Sequence, residues 1–96
     1  MHTGNINDYI VYDGIKKQQI HKDERFDVML LCMQQHAYLK PHQSNTDAFL
    51  TMLEGAIIFS KDGTDHELKK GDMFTFKAGE KHAVRALENA SLLIVK

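Results

Sequence analysis

Apolar positions along the chain come in short runs separated by turn residues, and no run keeps a helical period for long. Segments rich in β-branched, aromatic and large apolar side chains fall at Tyr9–Tyr12, Phe26–Met33, Ala56–Ser60, Met73–Phe76, Ala83–Leu87 and Ser91–Val95. Between them stand Asp13-Gly14, Asp62-Gly63, Gly71-Asp72 and Ala78-Gly79, and Pro41 interrupts a further stretch. Short strands with frequent turns predict a β-sandwich or barrel. Asp62-Gly63, between Ile57-Ile58-Phe59 and His66-Glu67-Leu68, is the strongest hairpin signal, because a two-residue turn with positive φ matches the strand twist. Thr46–Gly55 is ambiguous: Thr46 could cap a helix, with Phe49, Met52 and Leu53 on one face and Gly55 closing it. So short a helix is marginal in water, and Gly55 runs directly into an apolar segment that needs a strand partner. Although propensity alone favours the helix, the segment is read as a strand with a turn at Gly55.

Composition narrows the class. Ninety-six residues with 43% hydrophobic and 26% charged side chains make one ordinary globular domain. A formal charge of -1 offers no electrostatic attraction to nucleic acid or anionic lipid. The pairs Lys16-Lys17 and Lys69-Lys70 are too short to alter that, and read as solvated surface. The polar start, Met1 to Asn7, lacks the apolar stretch expected of a signal peptide, and the apolar runs are far below the ~20 residues that cross a bilayer. Cys32 is the only cysteine, so no internal disulfide can form, and a reducing, cytoplasmic setting is expected. Within Val28–Met33, Cys32 reads as a buried thiol acting as a small hydrophobe.

From Cys32 onward, His42 followed by Gly55, and then Gly71, Gly79 and His82, stand in an order that resembles the cupin superfamily. Its first motif, G-x5-H-x-H-x3-E-x6-G, is matched at His42 and Gly55, and its second, G-x5-P-x-G-x2-H-x3-N, at Gly71, Gly79 and His82. The resemblance implies an all-β, double-stranded β-helix or jelly-roll barrel as a single domain over 1–96. Residues 28–96 would form the barrel core, and the strand reading of Thr46–Gly55 rests largely on this resemblance. Residues 1–27 would supply N-terminal strands, at an edge or exchanged between subunits, with one strand around Tyr9–Tyr12. The family's metal ligands are two histidines and a glutamate from the first motif and one histidine from the second. This chain keeps His42 and His82 but has Ser44 and Ala48 at the other two positions, while His36, Lys77 and Ala86 replace the leading glycine, the proline and the asparagine.

Strand alternation extends the reading to a pocket. With Ala48 facing inward, Leu50 and Met52 follow and Asp47 points away, and His82, Val84 and Ala86 share a face. The expected ligand-binding set is His42, Ser44, Leu50, Met52, His82 and Val84: two imidazoles, a hydroxyl and an apolar wall. No metal is certain; His42 and His82 could hold a divalent transition ion such as Zn, Ni, Fe or Cu, with a third ligand sought from His36 or a rotated Asp47. Three functions are compatible: a non-catalytic small-molecule barrel, a metal-dependent dioxygenase or isomerase using His42 and His82, and metal-free acid–base chemistry with Tyr38 and Asp47 as candidates. The first fits best, because half of the family's ligand set is absent. His66 is expected exposed on the hairpin after Asp62-Gly63, His21 in a solvated loop, and Phe74 and Phe76 as an alternating pair. The long apolar runs predict a homodimer.

Overall fold

The computed structural model describes all 96 residues, and nine strands account for most of them. They are β1 (Ile15–Lys22), β2 (Asp27–Met33), β3 (Tyr38–His42), β4 (Ala48–Glu54), β5 (Ala56–Lys61), β6 (Thr64–Lys69), β7 (Met73–Phe76), β8 (His82–Ala86) and β9 (Ala90–Val95). The only helical piece is a 3-10 turn at Ile6–Asp8, capped by the Asn5 side chain. The strands form two facing sheets, ordered β1-β2-β9-β4-β7 and β3-β8-β5-β6, with antiparallel pairing throughout. This is the all-β jelly roll expected from the sequence.

Thr46–Gly55 resolves as a strand. In β4, Ala48, Leu50 and Met52 are buried while Phe49 is exposed, the period-two pattern of a sheet with one covered face. Pairing with both β7 and β9 supplies what a lone short helix would have lacked. The Asp62-Gly63 turn joins β5 to β6, with both residues at positive φ (50° and 84°) and Lys61 opposite Thr64. Pro41 does not end a strand: it lies within β3, the edge of the four-stranded sheet, beside an irregularity between Leu39 and His42. An edge position and a bulge are where a residue without an N–H can be accommodated.

The N-terminal expectation needs correcting. Tyr9–Tyr12 forms no strand; the first strand is β1, which pairs with β2 as the edge of the five-stranded sheet. Residues 9–12 are instead tied by side chains, with Gln18 donating to the Tyr9 carbonyl (2.6 Å) and the Tyr12 hydroxyl bonded to Ser91 Oγ (3.2 Å). Ser91 is on the outer face of β9 and is fully buried, so this segment covers the sheet without extending it. His21 likewise belongs to β1 rather than to a loop.

The core lies between the sheets. Leu31, Met33, Leu50, Met52 and Leu92 of one sheet meet Ile57, Phe59, Val84 and Ala86 of the other. Phe59 bridges the layers at one end, with ring centroids 4.9 Å from Phe74 and 5.4 Å from Phe76. Cys32 is fully buried, as its apolar surroundings implied.

Gly55 makes the closest backbone approach of any glycine. Its φ is +78°, and a Cβ there would lie 2.1 Å from the Asn89 carbonyl oxygen, which belongs to rigid backbone. Gly63 has a similar φ of +84° but open space around it. Gly55→Ala is expected to cost at least about 3 kcal/mol, combining left-handed strain with a backbone clash, whereas Gly63→Ala costs about 1 kcal/mol from strain alone. Urea unfolding of both variants checks the difference, and equal losses would contradict it.

Candidate functional site

The two motif histidines meet because their strands are neighbours. β3 pairs with β8 so that His42 stands opposite His82, and both project inward. Their ring centroids are 4.1 Å apart in an edge-to-face arrangement. His82 is buried against aromatic surface: its ring is stacked on Phe59 at 5.5 Å and 8° and lies 4.5 Å from Phe76. Each imidazole is oriented through Nδ1 by a carbonyl two residues back, His42 by Lys40 (3.0 Å) and His82 by Glu80 (3.1 Å). A carbonyl only accepts, so Nδ1 carries the proton and Nε2 presents its lone pair in the neutral rings. Neither Nε2 has a protein partner, and no buried side-chain nitrogen or oxygen is left unpaired, so these atoms are open to solvent.

Loops hold this geometry from the side. Gly79 N–H donates to the Ser44 carbonyl (3.0 Å), Gln43 Nε2 donates to the Gly79 carbonyl (3.0 Å), and Ala78 N–H donates to Asp47 (2.9 Å). The segment after β3 is thus fastened to the segment before β8. Glu80 tightens the second segment by accepting from Lys77 N–H (2.6 Å) and pairing with Lys61 (3.4 Å). The Lys77 backbone donor, helped by Lys61, holds the Glu80 carboxyl below the usual carboxylate range.

The rings open onto a cavity of about 100 Å³ at this end of the sandwich. Its polar lining is Lys17, His42, Gln43, Ser44, His82 and Lys96, and its apolar lining is Met29, Leu31, Leu39, Phe76 and Ile94. Of the residues expected to bind ligand, His42, Ser44 and His82 line it. Leu50, Met52 and Val84 do not: they face inward as the alternation implied, but deeper, where the sheets fill the space between them. Lys17, Gln43, Met29, Leu39, Ile94 and Lys96 carry no family motif. Register places several of them, since Lys17 is opposite Leu31 and Met29 opposite Ile94, but register is a property of the assembled sheet.

A resident metal does not fit these donors. No group of three or more His, Cys, Asp or Glu side chains converges anywhere in the chain, whereas a catalytic zinc-type site uses three protein ligands. Ser44 Oγ is occupied with Thr46, donating to its carbonyl (2.8 Å) and accepting from its N–H (3.2 Å). Asp47 is exposed and serves Ala78. His36 is exposed with its backbone at φ 73°, the left-handed conformation that the family's glycine would take more easily. Tyr38 is also exposed, lying under the Arg85 guanidinium at 4.7 Å, and it does not line the cavity that His42 and His82 share. His66 is half-buried against Phe74 (4.9 Å) rather than free on its hairpin.

Burial pushes His82 below the ordinary histidine value of 6.5; the Glu80 carbonyl and the Glu80 negative charge oppose this, and the positive charges of His42 and Lys96 reinforce it. The unfolded chain therefore binds this proton more readily than the folded one, and stability rises with pH across the interval. Acidification from 6.5 down through the native value should destabilise the wild type. In His82→Phe this component should vanish, so the stability difference between the two proteins should change with pH. Thermal melts between pH 8 and pH 5 check it (roughly the interval over which histidine charge changes), and parallel curves would refute it.

Residues 29–96 match the cupin domain family. No match was found among curated proteins. Among solved structures, an RmlC-like cupin protein from Desulfovibrio desulfuricans superposes with a TM-score of 0.88 at 21% identity, covering 99% of this chain and 94% of the other. TT1209 from Thermus thermophilus superposes with a TM-score of 0.86 at 23% identity, over 99% and 95%. KdgF from Halomonas sp. reaches a TM-score of 0.77 at 25% identity, over 85% and 76%. The domain match spans nearly the whole barrel and agrees with the topology, so this chain belongs to the cupin domain family.

Proposed function

We propose that the protein is a small-molecule-binding cupin whose ligand occupies the cavity beside His42 and His82 without a resident metal. The observation that carries this is the pair of Nε2 lone pairs, oriented by backbone carbonyls and open to solvent above an apolar floor. Such groups accept hydrogen bonds, so a ligand with a hydroxyl or N–H donor fits them, while Phe76, Ile94 and Leu31 cover its carbon skeleton. An apolar lining with a few placed polar groups is the ordinary make-up of a ligand pocket. The cavity's about 100 Å³ restricts the buried part of the ligand to a few heavy atoms. The competing reading, a metal-dependent dioxygenase or isomerase held by the same histidines, lacks a third protein ligand.

Small polar ligands found by NMR screening should shift the Hε1 resonances of His42 and His82. His42→Ala should weaken them at least about tenfold, a loss of about 1.4 kcal/mol. Elemental analysis should find well under one equivalent of Zn, Ni, Fe or Cu. One equivalent that persists through dialysis and disappears in the variant would favour the metalloenzyme instead.

We also infer that the protein works as a homodimer. Apolar side chains stay open on the outer face of the five-stranded sheet, with Phe49 39% and Met73 68% exposed. Sedimentation should give twice the 11.0 kDa chain mass at micromolar concentration, and a single species at 11.0 kDa would reject the dimer.

A further inference from the structure

The cavity's side-chain charge is one-sided. Lys17 and Lys96 line it together with His42 and His82, and no acidic side chain does. Both lysines are placed by register. Lys17 stands opposite Leu31 on β1, and the backbone of Lys96 exchanges hydrogen bonds with Asp27, which sets it two residues beyond inward-facing Ile94. Neither ammonium group has a carboxylate side chain within ion-pair distance; Lys16, Lys22, Lys40 and Lys81 are also unpaired, but only Lys17 and Lys96 of the unpaired lysines line the cavity. Asp27, on the same strand as Met29, is turned to the Gln19 side chain (3.2 Å) and does not line the cavity.

We propose that the cavity selects small organic carboxylates, with Lys17 and Lys96 holding the anionic end at the mouth while the rest of the ligand rests on the histidines and apolar floor. This rests on the cavity being a binding site, and adds the charge of what it binds. Two lysines without carboxylate side-chain partners place positive charge at an opening with partly apolar walls, where field lines concentrate; the Glu80 carboxylate, whose charge also reaches His82, is engaged by Lys61. The apolar share of the lining favours a carboxylate with a carbon skeleton over a bare inorganic oxyanion. The alternative role for Lys17 is protective, since an inward-pointing charge on an edge strand blocks pairing with another sheet. That role makes no demand on ligand charge, so binding separates the two.

The test is an NMR titration of the full chain with lactate and with lactamide, which share a hydroxyl and a carbon skeleton and differ in charge. Lactate should bind about tenfold more tightly, the margin a charge-assisted hydrogen bond holds over a neutral one. Lys17→Met and Lys96→Met should each weaken lactate about three- to tenfold more than they weaken lactamide, allowing for solvent screening. Equal binding of the two probes, or lactate binding unaltered in the double variant, overturns the proposal while leaving the cavity a binding site. Inorganic phosphate binding more tightly than lactate overturns the choice of carboxylate. If neither organic probe shifts His42 or His82, the binding-site reading fails and this inference falls with it.

Discussion

The site depends on one constraint: a neutral imidazole, that of His82, is packed between Phe59 and Phe76 and directed by the Glu80 carbonyl. Phe59 belongs to the same sheet as His82 and Phe76 to the other, so the ring sits in the contact between the sheets. Displacing it would loosen core packing as well as the site. Nε2 is the part of the ring the protein leaves without a partner, and His42 is brought beside it by strand pairing. Chemistry and packing share these atoms, which gives the cavity a rigid floor.

The mouth is built differently. The segments that follow β3 and precede β8 are joined by hydrogen bonds involving Gln43, Ser44, Asp47 and the Ala78–Gly79 backbone. Positions 44 and 47, which could have offered ligands to a metal, thereby act as structural fasteners. Alanine in place of the family's glutamate at position 48 fits the same picture, since Ala48 is buried and leaves no unpaired charge in an apolar place. The result is an interior that accepts hydrogen bonds and is lined by Lys17 and Lys96, with no acidic side chain among the lining residues.

Much of the fold was legible along the chain, for identifiable reasons. Asp-Gly at 62–63 and the glycines at 55, 71 and 79 mark backbone conformations that few other residues take readily, whereas Ala48–Glu54, whose spacing also suits a helix, is read as a strand largely through the resemblance to cupins. The resemblance to cupins added the order of the strands, and hence the expectation that His42 and His82 meet. The failures were equally physical. Tyr9–Tyr12 has the composition of a strand but finds its place through side-chain hydrogen bonds over a sheet already formed. β3 was hidden by Pro41, which an edge position tolerates.

Composition and turn chemistry determined, from the sequence alone, a single domain of short strands, and the resemblance to cupins implied that it closes as a barrel with two imidazoles on inward positions. Alternation says which face a side chain occupies, but not how far along the barrel the sheets close. Only the tertiary structure decided that Leu50, Met52 and Val84 fill the core while Lys17, Gln43 and Lys96 reach the cavity. That division follows from register across three or more strands, where residues distant in the chain share one space, and no local pattern records that meeting.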